Sequence, residues 1–218
     1  MKKILTFLML IFAFSVHAEI IASGDDCGAH CHWEIENGVL TIKGSGPMYD
    51  YSYNSGSTNA PWFGLNNQIT NIVVENGITH IGLNAFLYAD AKAVSLPHTL
   101  TSIAASAFHN TKLTNVIVPS SVESVGYNAF ACTPLQNLTI DDQTLFEKYD
   151  SQTGFLTGVD LNSLHIYCKG VSSKCDQNLR NGGYHLSTKQ AQRRRIYTIE
   201  EATKVSKPTG NTFKLRYK

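Results

Sequence analysis

The segment Cys27-Gly-Ala-His30-Cys31-His32 holds the densest set of metal-binding and redox-active side chains in this sequence. Two thiols and two imidazoles are donors that zinc accepts in a tetrahedral site. The spacing argues against it, because donors packed into so short a segment would strain the backbone before closing a tetrahedron. Haem attachment uses Cys-x-x-Cys-His, and here the cysteines stand one position further apart, so the thioether positions do not match. A local disulfide, or a pair of free thiols, fits the spacing better. Asp141-Asp142, with Asp150 nearby, could bind calcium or divide acid and base roles. In so acidic a stretch a solvated pair is the simpler reading. His80, His98, His109 and His165 occupy different repeat phases, which predicts solvated histidines on separate edges. No Gly-x-Ser-x-Gly, phosphate loop or His-Glu-x-x-His occurs. Nothing meets the role test for an active site, so we expect no catalysis, no metal and no cofactor.

The remaining cysteines fit an exported chain. Residues 1–18 combine the basic start Lys2-Lys3, an apolar stretch from Ile4 to Val16, and small residues at Val16 and Ala18. This pattern predicts a secretory signal peptide cut after Ala18. The apolar stretch is short for a bilayer span, and no other run reaches that length. Export permits disulfides. The candidates are Cys27 with Cys31, and Cys168 with Cys175. Cys132 is left over and is expected as a buried free thiol, acting as a small hydrophobe.

The elements that position these groups form a repeat. Ile69, Ala91, Leu113 and Leu135 recur at one constant step. Ile72, Val94, Val116 and Leu138 keep the same step, and so do Val74, Leu96, Val118 and Ile140. The numbering gives a 22-residue period. Units close with Ala85-Phe86, Ala107-Phe108 and Ala129-Phe130. A fixed short period predicts a solenoid in which each repeat is one turn and neighbours bury each other's apolar face. In each unit a short strand would end near a proline such as Pro119. A turn or short helical segment would then fold back, stacking the phenylalanines as a ladder. Strands of successive turns would pair in parallel. Leu161-Asn-Ser-Leu164-His-Ile166 reads as a degenerate further strand. Its step, from Leu135 to Leu161, is longer than the period, with the extra length within Phe146–Gly158.

Ahead of the repeats, Trp33 to Ile42 reads as a β-hairpin about Asn37-Gly38, a pair suited to a type I′ turn. Trp33, Ile35, Leu40 and Ile42 would share its buried face. A polar, tyrosine-rich loop follows from Met48 to Asn59. Such a cap covers the open end of the first turn. After the repeats, Thr198 and Glu201 have capping-box spacing for a short helix, and Thr212–Tyr217 alternates like a half-buried strand. Charge is divided. Glu19–Cys168 carries 4 Lys/Arg against 14 Asp/Glu, whereas Lys169–Lys218 carries 12 against 3, in a chain of net charge +1. Arg193, Arg194 and Arg195 form the densest basic point, suited to docking on the acidic body or to an anionic envelope polymer.

The unit Leu113-Thr-Asn-Val-Ile-Val-Pro-Ser-Ser-Val-Glu-Ser-Val-Gly-Tyr-Asn-Ala-Phe130, with copies from Ile69 and Ala91, resembles the BspA-like (Treponema pallidum-type) leucine-rich repeats of bacterial surface proteins. Cys27-Gly28, Leu40-Thr41-Ile42, Gly44-Ser45-Gly46-Pro47-Met48 and Ala60-Pro61-Trp62 resemble the segment that precedes such repeats. The likeness covers roughly residues 27–147. It departs from ordinary leucine-rich repeats in lacking the asparagine after the strand, where Gly77, Thr99 and Ser121 stand instead.

We therefore expect an α/β-type solenoid, mainly β, as a short stack with parallel strands. Its parts would be a signal peptide at 1–18, an N-terminal β cap at 19–68, the repeats at 69–168 and a basic tail at 169–218. The resemblance implies an exported protein of the cell surface, the medium or the periplasm. It would bind or adhere to a protein or glycan on a host or bacterial surface, with no nucleic acid and no membrane span after cleavage. The alternative is a structural envelope component anchored by the tail. The expected contact surface is the outward sheet face, including Asn71, Val73, Lys92, Ser95, Asn115, Ile117, Asn137 and Thr139.

Overall fold

The protein, seen as a computed structural model, is described here over residues 20–140, 154–160, 163–168 and 196–198. Its first three strands are β1 (Ile20–Gly24), β2 (Cys31–Glu36) and β3 (Val39–Gly44). Asn37 and Gly38 both have positive φ, 49° and 78°, as the tight turn between β2 and β3 requires. That turn sets the register, with Trp33 opposite Ile42 and Ile35 opposite Leu40. All four are buried, and Glu34 and Thr41 pair on the other face. β1 adds antiparallel to β2, and the sequence reading did not include it.

The chain then forms β4 (Gly46–Pro47), a small hairpin of β5 (Tyr53–Asn54) and β6 (Ser57–Thr58), and a 3₁₀ turn at Phe63–Gln68. The repeats follow. Each begins with a strand of the main sheet: β7 (Asn71–Val74), β9 (Ala93–Ser95), β11 (Asn115–Val118) and β13 (Asn137–Ile140). Between them lie β8 (Ile78–Ile81), β10 (Ser102–Ile103) and β12 (Ser124–Val125). β14 (His165–Cys168) and β15 (Ile196–Thr198) complete the main sheet. Its nine strands run in the order β1-β2-β3-β7-β9-β11-β13-β14-β15, parallel from β3 onward. A second parallel sheet, β12-β10-β8-β4, lines another wall. The fold is mainly β. Among the described residues the only helix is the 3₁₀ turn.

A third wall consists of turns joined by backbone hydrogen bonds. Phe86 N–H donates to the Ala107 carbonyl at 2.8 Å, and Phe108 N–H to that of Ala129 at 2.8 Å. The local backbone makes this possible by entering the left-handed region at two repeating positions. One set is Asn84, Ser106 and Asn128; the other is Tyr88, Asn110 and Cys132. Asparagine tolerates that region better than most residues with a Cβ. Between the walls runs an aromatic column. Trp62 stacks on Phe86, Phe86 on Phe108 and Phe108 on Phe130, with centroids 5.6, 5.1 and 5.2 Å apart. All four are fully buried. Trp62 closes the column, its indole N–H donating to the Ala85 carbonyl at 2.7 Å. Where ordinary leucine-rich repeats carry asparagine, the Thr99 hydroxyl accepts from Gly77 N–H and donates to the Ile78 carbonyl.

Three points differ from the expectations of the sequence. Ile78–Ile81 and its copies make a sheet rather than a connecting segment. Their inward residues come three apart, which hides the strand period of two. Cys132 is exposed, not buried, because its left-handed backbone (φ 56°) turns the side chain out of the wall. Ile166 pairs with Leu138, whereas the step expected from Leu135 to Leu161 would have set Leu164 there. Part of the extra length therefore lies after the turn at Phe155-Leu156. Thr198 ends β15, which pairs with β14, and the short helix expected after it lies outside the described residues. Residues 199–218, including the expected strand at 212–217, lie outside the described residues.

Phe108→Ala is expected to cost about 3–5 kcal/mol, the loss typical of a buried aromatic. Urea unfolding of the two chains measures it. A loss well under that range would mean that the column does not hold the turns together.

Candidate functional site

The outward side of the main sheet collects the expected contact residues because register places equivalent residues of successive repeats side by side. Asn71, Ala93, Asn115 and Asn137 are Cα partners across four strands, and the row continues to Val39 on one side and His165 on the other. A second row passes from Thr41 through Val73 to Ser95, and Ile117 pairs with Thr139 at the same phase. Alternation then puts Ile72, Val74, Val116, Val118, Leu138 and Ile140 into the core.

Lys92, Ser95, Asn115 and Ile117 are exposed, and Asn71, Val73, Asn137 and Thr139 half-buried. Asn137 Nδ2 donates to Asn115 Oδ1 at 2.6 Å, and Asn115 Nδ2 to Thr114 Oγ1 at 2.9 Å. Ile117, 45% exposed, is the large apolar residue of the face. Beside it Ala93 and Ser95 are small, and the surface dips. One depression of about 340 Å³ is lined by Val39, Asn71, Val73, Ala93 and Ser95. Another, about 480 Å³, adjoins it at Glu75, Asn76, Pro97 and His98. A wet, shallow contact suits this surface better than enclosure of a small molecule.

The chemistry-bearing residues are dispersed. Cys27 and Cys31 are joined in a buried disulfide. Their sulfurs bond one another, so neither is a free thiolate for metal or haem. His32 contacts Asp25 at 2.6 Å, and Lys43 pairs with Glu34 at 2.8 Å on the outer face of the hairpin. The Glu34 hydrogen bond raises the Lys43 pKa above its usual value. No group of three or more His, Cys, Asp or Glu suited to a metal occurs among the described residues. Asp141, Asp142, Asp150, Cys175, Arg193, Arg194 and Arg195 lie outside those residues, and nothing of the Cys168 side chain is described.

Two histidines depart from the expectation of solvated edges. His80 Nδ1 lies 2.7 Å from the Ser102 hydroxyl. His109 Nδ1 is buried without a partner, and its ring packs edge to face on Tyr88 at 6.1 Å. The repeat phase shared by Tyr88, Asn110 and Cys132 is the sequence signal for that turn, and it goes unnoticed until the backbone is seen.

A model of BspA-type leucine-rich repeat regions matches residues 59–171 in six copies, more than half of the chain. None of the curated proteins matches. Among solved structures, a leucine-rich repeat protein from Eubacterium ventriosum is 22% identical, with a TM-score of 0.46 over 71% of this chain and 42% of that one. The pneumococcal vaccine antigen PcpA is 21% identical, with a TM-score of 0.43 over 60% of this chain and 36% of that one. The chain thus spans less than half the length of either structure.

Burial holds the His109 imidazole below its usual pKa. The unfolded chain therefore binds this proton more readily, so stability rises with pH up to about 6.5 and is lost as pH falls below it. His109→Gln is expected to flatten the dependence of the melting temperature on pH in that window. An equally steep dependence in the variant would assign the effect elsewhere.

Proposed function

We propose that this chain, which belongs to the BspA-type leucine-rich repeat family, is an exported binding protein displayed at a cell surface. It engages a protein or glycan of a host or bacterial surface and performs no catalysis. The repeats act as a short solenoid, one turn per repeat, with the hairpin cap closing the first turn. The observation that carries this reading is the row of outward residues in register, Asn71, Asn115 and Asn137 among them, beside exposed Ile117. A rigid core behind a ladder of small polar side chains gives a preformed surface that loses little entropy on binding. Its area is small, so single contacts are weak and display of many copies raises the avidity. Among the described residues no helix is long and apolar enough to cross a membrane. Attachment is assigned to the basic tail, where Arg193, Arg194 and Arg195 would meet an anionic envelope polymer.

Two experiments test the reading. Asn115→Arg with Asn137→Arg is expected to abolish binding to immobilised matrix proteins while leaving the melting temperature nearly unchanged, since both side chains point away from the core. Undiminished binding would remove this face. Replacing Arg193, Arg194 and Arg195 by glutamine is expected to release the protein from intact cells into the medium. This change is preferable to deletion of the tail, which would also remove β15. Retention of the triple variant on cells would exclude the arginines as the anchor.

A further inference from the structure

We propose that a pocket between the β5–β6 hairpin and the first two repeats binds one neutral pyranose ring. Ser55 and Gly56 turn this hairpin with φ of 50° and 89°. The loop that carries it is tied to the repeats: Tyr51 N–H donates to the Leu83 carbonyl at 2.9 Å, and Asn84 Nδ2 donates to the Tyr51 carbonyl at 2.8 Å. The result is a cavity of about 200 Å³ lined by Tyr53, Asn84, Leu87, Tyr88, Ser106 and His109. That is smaller than the roughly 300–1,000 Å³ of sites for drug-sized ligands, and suits a single ring.

The chemistry of the lining selects the ligand class. Tyr53 is 50% exposed, and it neighbours Tyr88 closely enough to raise the Tyr88 phenol pKa. His109 meets the Tyr88 ring edge to face, and buried Leu87 adds an apolar surface. None of the six side chains carries a formal charge when His109 is neutral, the form its burial favours. An ionic ligand would be desolvated here without a counter-charge. A neutral sugar offers a C–H face for the aromatic rings, and hydroxyls for Ser106, His109 and the tyrosines, which both donate and accept.

Tyr88 supplies an independent sign. Its φ is 63°, at the phase that Asn110 occupies with φ 56° in the next repeat. Left-handed backbone disfavours a bulky residue, and such strain collects where a side chain serves a site. Asparagine would satisfy the turn, so the fold does not require tyrosine there. The inference does not rest on the sheet-face reading, since the pocket is built from turns, and either can fail alone.

The test is saturation-transfer NMR on the full chain with D-glucose, D-galactose and N-acetyl-D-glucosamine in turn, followed by titration. At least one sugar is expected to bind saturably with a Kd of about a millimolar. Tyr53→Ala should weaken it tenfold or more. Tyr88→Asn should do the same while holding or raising the melting temperature, which separates loss of the site from loss of the fold. Saturable binding by none of the three sugars, or binding unchanged in both variants, overturns the proposal.

Discussion

A single turn of this repeat presents two apolar flanks, and only another turn in register can cover them. Everything else in this structure answers that constraint. Phe86, Phe108 and Phe130 are fully buried: Phe108 roofs Phe86 at 5.1 Å, Phe130 roofs Phe108 at 5.2 Å, and Trp62 covers the first ring from the other side. Stacked aromatic pairs contribute about 0.5–1.5 kcal/mol each beyond the area they bury. The same register satisfies the backbone: main-sheet strands pair on one side, and turn amides donate to turn carbonyls on another. Apolar packing and hydrogen bonding therefore demand one alignment, and a slip in either would disrupt both.

That alignment also creates the outer surface. A strand whose inward residues are locked has its outward residues locked as well, since alternate side chains point to opposite faces. Asn115 and Asn137 meet at 2.6 Å because Val116 and Leu138 are neighbours beneath them. An outward side chain can therefore change without disturbing the frame beneath it. The cap extends the frame. β3 pairs parallel with β7, and the buried pair Trp33 and Trp62 meets edge to face at 5.7 Å. The first repeat thus inherits a ready-made neighbour.

Where the chain departs from the repeat, chemistry gathers. The loop between β4 and the 3₁₀ turn belongs to no repeat, yet it brings tyrosines over the first two turns. Tyr51 is buried, and its burial pushes the phenol pKa up, so the hydroxyl stays protonated. Tyr88 and Cys132 take the left-handed position that suits asparagine. One lines a pocket and the other exposes its thiol, so a common backbone device yields different local surfaces.

Much of the fold was legible in the sequence. The repeat period, the hairpin around Asn37-Gly38, the phenylalanine ladder and the outward rows all follow from two periodicities, that of the strand and that of the repeat, because side-chain direction in a strand is set by counting positions. The basic tail and the leading apolar segment are equally plain as composition, and the family followed from the repeat unit itself. Other features needed the tertiary structure. The strands of the second sheet, such as Ser102–Ile103 and Ser124–Val125, are too short to show a period. The shift of β14 depends on how an irregular insertion is taken up, which no local pattern records. The exposure of Cys132 and the pocket at Tyr88 depend on the sign of φ in a turn. Composition does not set that sign; contact with the next repeat does.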